Sequence, residues 1–286
     1  MAQPKLALGS WAFTFGPFAA HPWPFRQVLD FIAQAGYDGV EINGFRPHPH
    51  PDDYDTAAKC QALVGEIAAR GLGISGYAPS FVDVPPAEVE TEAYLPVLRK
   101  CLNFCNGCGI KTLRVDTVSP PVKHAPDVYE TRFARLTRTW RAAAVEAAKA
   151  GVLIVWEFEP GFWLNKPSEV LRTVEAVGHE NFKLLFDTSH AYIGAVVGAR
   201  QTGEREVLPG GWANTSATFT SSTQTGRCTT RRPARTRRLG RATSTLVKCC
   251  GRCGRSLAAY RGGAWTFAST RARRRRPKTP CRSCGA

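Results

Sequence analysis

The fold is decided by residues 151–190, which read GVLIVWEFEPGFWLNKPSEVLRTVEAVGHENFKLLFDTSH. Two short apolar runs, VLIVW and KLLF, end in carboxylates: Glu157 and Glu159 after the first run, and Asp187 after the second. His190 follows Asp187 by three residues, and a helix-like segment lies between the two runs. Strand, loop, helix and strand therefore place metal ligands where the strands stop. An α/β barrel builds its active site at that position.

The same unit repeats toward the N-terminus. Apolar runs typical of strands occur at residues 6–13, 39–42, 72–77, 112–116, 152–158 and 183–187. Segments with helical periodicity separate these runs, and three of the segments end at Gly36, Gly71 and Gly151. Helix, glycine and strand in repetition are typical of a parallel sheet. We count six βα units, so the sequence predicts an α/β fold, a (β/α)8 TIM barrel that is incomplete in this chain.

The charge of the chain changes abruptly at residue 212, and we place a domain boundary there. Residues 1–211 contain 20 Lys and Arg and 23 Asp and Glu, whereas residues 212–286 contain 18 Lys and Arg and no Asp, Glu or His. The net charge of +15 therefore comes from the tail alone. No apolar run approaches the ~18 residues of a membrane span, and the N-terminus lacks a secretion signal. We expect a cytoplasmic protein with no membrane partner.

Four motifs, GYDGVEINGF, VWEFEPGFWLNKPSE, FDTSHAYIGAVVGARQ and EVLPGG, resemble the xylose-isomerase-like sugar phosphate isomerase/epimerase family over about residues 5–211. That family is a TIM barrel related to ketose 3-epimerases, inosose dehydratases and endonuclease IV. The resemblance implies proton removal next to a carbonyl of a sugar or sugar phosphate. It also implies a divalent metal (Mn, Co, Mg or Zn) that polarises the carbonyl. Intact relatives could form homo-oligomers, and the sequence leaves that question open.

The resemblance also assigns roles, because four ligands come from the ends of strands five to eight in active relatives. Glu159 matches the strand-five metal ligand and the catalytic carboxylate, and Asp187 matches the strand-six ligand. His190 matches a histidine that contacts the substrate or a second metal. Glu157 points to the same side as Glu159, since strand side chains alternate with period two. Glu157 is therefore either a supporting partner or the true ligand.

Other polar and aromatic residues follow the earlier strands. Glu41 and Asp116 come after the second and fourth strands, and we expect them to bind substrate at the same rim. An apolar wall of the sugar pocket and ordinary core packing are both open for Trp11, Phe13, Tyr77 and Trp163. A metal role stays open for His48 and His50, which lie in a Pro-rich loop. One helical face carries Cys101, Cys105 and Cys108, which we expect to be buried small hydrophobes.

Three interpretations of the tail are open. Its Arg-rich stretches suit a basic extension that binds nucleic acid. Two Cys-x2-Cys pairs, at Cys250 and Cys253 and at Cys281 and Cys284, suit a zinc module, although the interval between the pairs is long. The third interpretation is translation out of frame, because the composition is what GC-rich coding DNA gives when it is misread. We favour the third and do not expect nucleic acid to be the partner.

The third interpretation can be tested on paper. Read from the third base of each codon, with permitted codon choices, the stretch from Trp212 can encode HVHLID, and residues 264–270 can encode VDF. These strings are the seventh and eighth strands that the barrel lacks. The chain as written then misses the ligands of both strands, so its activity is in doubt. We expect poor solubility and no tight metal binding.

Two alternative functions follow from the same residues. One is a zinc phosphodiesterase of the endonuclease IV kind. We disfavour it because residues 1–211 are net acidic and lack the several metal-binding histidines that the endonuclease IV family has on its early strands. The other is a non-catalytic barrel fragment whose basic tail binds nucleic acid.

Overall fold

The computed structural model describes residues 5–194 and, in addition, the backbone of residues 216–222 and 265–269. Eight parallel strands form a closed barrel in chain order. They are β1 (Lys5–Gly9), β2 (Gly39–Asn43), β3 (Gly73–Ala78), β4 (Thr112–Val115), β5 (Leu153–Glu157), β6 (Phe182–Asp187), β7 (Ser216–Ser222) and β8 (Trp265–Ser269). The helices between the first six strands are α1 (Phe25–Gln34), α2 (Ala57–Ala68), α3 (Thr91–Gly107), α4 (Pro126–Lys149) and α5 (Pro167–Val177). Helical backbone also follows β6 over residues 188–194.

The predicted fold class is confirmed, with all six predicted strands present in parallel order. The tail differs from the prediction, because it contributes β7 and β8, which pair with β6, with each other and with β1. The physical reason is that β1 and β6 would otherwise carry unpaired backbone groups. The tail segments SATFTSS and WTFAS are rich in Thr and aromatic residues, which suit strands. Within the described residues, the last two strands lack the helices that complete a βα unit.

The first predicted strand was too long. The chain leaves the sheet at Gly9, and residues Ser10–Phe13 form a 3-10 helix instead of continuing β1. Phe13 then packs on Trp23 with ring centroids 5.1 Å apart, and it contacts Phe18 and Phe31 as well. Aromatic packing at the start of this loop thus competes successfully with strand extension.

The predicted ends of the helices are confirmed by their glycines. Gly36, Gly71 and Gly151 follow α1, α2 and α4 and have φ values of 79°, 73° and 65°. Such left-handed conformations cost a residue with a Cβ atom and suit glycine, which ends each helix and turns the chain toward the next strand. No helix within the described residues is both long enough and apolar enough to cross a membrane.

The two faces of the sheet have different chemistry, because strand side chains alternate. On the outer face, buried residues such as Ile42, Val115 and Trp156 form one large core with the helices. On the inner face, a small cluster of Ala7, Val155 and Leu185 fills the barrel. The inner row then becomes charged toward the carboxyl ends of the strands, which creates the site described next.

Candidate metal centre

Inner-face residues from four strands meet at the carboxyl end of the barrel. Glu157 follows Val155 by two residues and therefore lies on the same face of β5. Asp187 follows Leu185 by two residues in β6 in the same way. Glu41 lies in β2 and Arg114 in β4. Glu41, Glu157 and Asp187 are each no more than 3% exposed. A TIM barrel has its active site at this end, so the charged row is the candidate site.

The first ligand group consists of Glu157, Asp187 and His190, whose ligand atoms all lie within 4.8 Å of one another. Asp187 Oδ1 accepts hydrogen bonds from the backbone N–H groups of Ser189 (2.6 Å) and His190 (2.9 Å), at the start of the helical segment after β6. These bonds fix the direction of the carboxylate.

His190 is oriented by the carbonyl oxygen of Phe158, which lies 3.0 Å from its Nδ1. A carbonyl oxygen only accepts hydrogen bonds, so Nδ1 is the donor and Nε2 is the nitrogen left for a metal ion. Metal-binding histidines are commonly held in this way, by a hydrogen bond from the other ring nitrogen. In the Asp-x-x-His motif, Asp187 therefore caps the helical segment, and His190 brings its imidazole to the same ligand group.

A second ligand group consists of Asp116, Glu157 and Glu159, again with ligand atoms within 4.8 Å of one another. Glu157 belongs to both groups. Glu159 lies two residues beyond β5, is half-buried and joins Asp116 rather than Asp187 and His190. The resemblance matched Glu159 to the metal ligand of strand five, whereas in the structure Glu157 is the glutamate that lies with Asp187 and His190.

Arg114 lies inside the carboxylate cluster, and its role was missed in the sequence. Its Nη1 donates a short hydrogen bond to Glu157 Oε2. Nη2 lies 3.6 Å from Asp116 Oδ2, and Nη1 lies 3.9 Å from Glu41 Oε2. The Arg114 side chain is 13% exposed. A signal for it existed, because Arg114 precedes Asp116 by two residues and must share its face of the strand.

Burial favours the protonated form of four carboxylates of the cluster, Glu41, Asp116, Glu157 and Glu159. Burial raises the pKa of Asp116 to about 6, although Arg114 opposes the change. Burial likewise raises the pKa of Glu41 and of Glu157, again against the attraction of Arg114. The pKa of Glu159 is raised by burial and by the nearby charges of Asp116 and Glu157. A single cationic side chain does not compensate this many buried carboxylates.

A divalent cation fits this donor set. Carboxylate oxygens and an imidazole nitrogen converge in the first group, and mixed ligation of this type suits Mn, Co, Zn or Mg. Asp116 Oδ1 is buried without a hydrogen-bond partner, which indicates a polar atom that lacks a counterpart in the protein. A bound cation would also favour the ionised form of the carboxylates, which burial disfavours.

Glu41 is held by Trp11, whose Nε1 donates to Glu41 Oε2 over 3.1 Å. The indole lies directly over the Cα of Gly9, where any Cβ atom would collide with it. Glycine at the end of β1 therefore lets Trp11 fold across the barrel mouth. Trp11 is partly buried and lies beside Glu41, so a place in the wall of a pocket stays a prediction for it.

The loops after β4 and β5 are fastened together beside the site. Thr117 Oγ1 donates to the carbonyl oxygen of Trp163 (3.1 Å), and the Trp163 N–H donates to the carbonyl oxygen of Ser119 (2.9 Å). Val118 and Leu164 have φ values of 48° and 63°, which are rare for such side chains. Strained backbone of this kind is concentrated at functional sites. These two hydrogen bonds between the loops hold Asp116 and Glu159 at the ends of their strands.

The remaining sequence candidates lie elsewhere. Phe13 and Tyr77 belong to the outer core, so core packing explains them. His48 is buried, with Nδ1 3.1 Å from Ser10 Oγ and Nε2 3.0 Å from the carbonyl oxygen of Trp23, and both nitrogens are thereby engaged. His50 lies 3.6 Å from Asp52, and the ligand groups identified among the described residues include neither histidine.

The cysteine prediction within the barrel is confirmed, since Cys101, Cys105 and Cys108 are buried in the core. The proposed zinc module at Cys250, Cys253, Cys281 and Cys284 lies outside the described residues.

Comparison with solved structures supports the fold. An L-ribulose 3-epimerase matches with a TM-score of 0.58 at 18% identity, covering 77% of this chain and 70% of that chain. A D-psicose 3-epimerase from Clostridium cellulolyticum H10, in a study with D-tagatose, matches with a TM-score of 0.56 at 15% identity, covering 76% and 73%. An AP endonuclease of family 2 from Brucella melitensis matches with a TM-score of 0.55 at 14% identity, covering 76% and 79%. At these identities the likeness shows the fold alone.

Comparison with curated proteins finds no match. A family model described as a xylose isomerase-like TIM barrel matches residues 29–207. The match spans β2 to β6 and includes both ligand groups. Because it covers more than half of the chain, the protein belongs to the xylose isomerase-like TIM barrel family.

Proposed function

We propose that the barrel carries the site of a divalent-metal-dependent isomerase or epimerase that acts on a small sugar or sugar phosphate. The observation that carries the proposal is the convergence of Glu157, Asp187 and His190 within 4.8 Å at the carboxyl end of the barrel. Membership of the family and the likeness to two ketose 3-epimerases support this choice of chemistry.

In this proposal Glu157, Asp187 and His190 hold the cation. When bound, the cation supplies the positive charge that polarises a substrate carbonyl. Glu159 removes the proton from the neighbouring carbon, since it lies beside the ligand group without belonging to it and is less buried than Glu157. Glu41 and Asp116 bind substrate hydroxyls, and Trp11 closes the mouth above Glu41.

We further propose that residues 212–286 are translated out of frame and that a single-base change near the Gly211 codon separates them from the barrel. Counted from Trp212, the string HVHLID falls on residues 217–222 and thus on β7, and VDF falls on the stretch that contains β8. The tail contains no Asp, Glu or His, so the ligands expected from strands seven and eight are missing from the chain as written.

The experiment compares the chain as written with a version whose frame is restored at the Gly211 codon. We expect the restored protein to bind Mn²⁺ more tightly and to incorporate solvent deuterium into a ketose at the carbon next to the carbonyl, as followed by NMR in D₂O. Neutral ketoses and ketose phosphates are both offered. In the restored protein, Glu159→Gln should stop the exchange and leave Mn²⁺ binding intact, whereas Asp187→Asn should weaken binding.

Two results would contradict these proposals separately. Restored protein that binds Mn²⁺ but exchanges no substrate hydrogen would refute the isomerase or epimerase assignment. A nucleotide sequence in which neither alternative frame encodes the two strand-like strings would refute the out-of-frame origin of the tail.

A further inference from the structure

The two ligand groups compete for one carboxylate, and a cationic side chain lies against that carboxylate. Glu157 is common to the group with Asp187 and His190 and to the group with Asp116 and Glu159. The site therefore offers two sets of ligands that share Glu157, and each set would suit one cation. Only one of the two groups contains a histidine, and the other group has two carboxylates in contact with Arg114, Glu157 and Asp116.

Arg114 contacts the second group and not the histidine. Its Nη1 donates to Glu157, and its Nη2 lies 3.6 Å from Asp116. Glu41, on the opposite side, lies 3.9 Å from Nη1. The guanidinium thus brings one positive charge to the carboxylates that a second cation would need. Arginine stays charged at all accessible pH values, so Arg114 cannot make room for a second cation by losing its proton, as a lysine or a histidine could.

We propose that Arg114 is a positioning residue that takes the place of a second cation and keeps the centre mononuclear. Its positive charge lies against Asp116 and Glu157, so that a metal ion binds only in the group of Glu157, Asp187 and His190. Two positive charges about 4 Å apart repel strongly even at the effective dielectric constant of a buried protein site. The guanidinium does not satisfy every polar atom around it, because Arg114 Nε and Asp116 Oδ1 are both buried without hydrogen-bond partners.

The unpartnered Asp116 Oδ1 is the atom that a cation would bind if Arg114 were absent. Glu159 and Glu157 already lie within 4.8 Å of that side chain. Removal of the guanidinium therefore leaves three carboxylates around a space that has lost its positive charge. This inference rests on the proposed cation site, since it concerns the number of ions that the site accepts.

Because the chain as written is expected to bind a cation only weakly, the test titrates MnCl₂ to concentrations that saturate a weak site. It compares the full chain with Arg114→Gln and counts bound ion by electron paramagnetic resonance of free Mn²⁺ and by calorimetry. We expect one ion in the wild type and two in Arg114→Gln, with the second ion close enough to the first to show Mn–Mn spin coupling. Arg114→Lys is the matched control. It retains a positive charge and should accept the second ion at least about tenfold more weakly than Arg114→Gln.

The outcomes separate the two proposals. One ion in both the wild type and folded Arg114→Gln would overturn the role of Arg114 and leave the cation site standing. No ion in any variant would overturn the cation site itself and the inference with it. If Arg114→Gln fails to fold, as judged by circular dichroism, the double variant Arg114→Gln/Glu41→Gln restores the charge balance and keeps the second group. A single ion in that folded double variant would equally overturn the inference.

Discussion

Replacement of Asp116 by asparagine should change how the stability of the metal-free protein depends on pH. Burial raises the pKa of Asp116 from 3.8 to about 6 in the folded protein, even with Arg114 3.6 Å away. The folded state therefore holds the proton more tightly than the unfolded state does. The stabilisation from this group is fully present below pH 3.8, and it is lost as the pH rises through about 6.

The size of the effect follows from the two pKa values. A difference of about two pKa units, at 1.36 kcal/mol each, corresponds to roughly 3 kcal/mol in the free energy of unfolding. Most of this loss falls between about pH 4 and pH 6, because both titrations occur there. Asparagine has no proton to lose, so the variant should lack this part of the decline. Relative to wild type, it should gain about 2–3 kcal/mol as the pH is raised from about 4 to about 7.5.

The assay is urea unfolding followed by tryptophan fluorescence, in EDTA, at several pH values between 4 and 7.5. Asp83→Asn is the matched control, because Asp83 is exposed in the loop after β3. Differences between variants cancel the effects of the many surface carboxylates, which titrate in the same range. Parallel pH profiles for wild type and Asp116→Asn would refute the reasoning, and so would a wild-type-minus-variant difference that rises with pH.

Two further predictions concern packing and the rim of the barrel. Trp140 is fully buried between Trp156 and Phe182, with ring centroids 5.2 and 5.4 Å away. Trp140→Ala should therefore lower the free energy of unfolding by about 3–5 kcal/mol in urea titrations, whereas Val145→Ala on the same helix, 38% exposed, should lower it far less. Trp11→Phe removes the hydrogen bond to Glu41 and should cost about 1.5 kcal/mol by the same measurement, and an unchanged midpoint would contradict that role.

The strands and the helix ends could be predicted from the sequence, because they depend on local chemistry. Buried parallel strands need apolar residues on both faces, as VLIVW and KLLF have, and such runs are easy to recognise. Gly36, Gly71 and Gly151 end helices because only glycine adopts their backbone conformation at low cost. The error at residues 10–13 arose where aromatic packing, a tertiary effect, decided the end of β1.

The division of labour between Glu157 and Glu159 could not be predicted. Period two places both on the same face, and only the path of the chain after β5 decides which of them meets Asp187. That path is set by the hydrogen bond between Thr117 in the loop after β4 and the backbone of Trp163. Val118 and Leu164, next to these residues, adopt rare backbone conformations. Contacts between loops of different βα units leave no periodic signal in the sequence.

Closure of the barrel and completion of its site are separate requirements, and the described strands of the tail provide closure. Any segment that forms strands can pair with β6 and β1, because the pairing uses backbone groups alone. In the register of β7, Thr220 lies opposite Asp187, at the level where the ligands converge. Between Ser216 and Ser222 the sequence offers hydroxyl groups and no carboxylate or imidazole. A barrel closed in this way therefore keeps the family's fold, while Glu157, Asp187 and His190 are the ligands that the described residues supply to the proposed cation site.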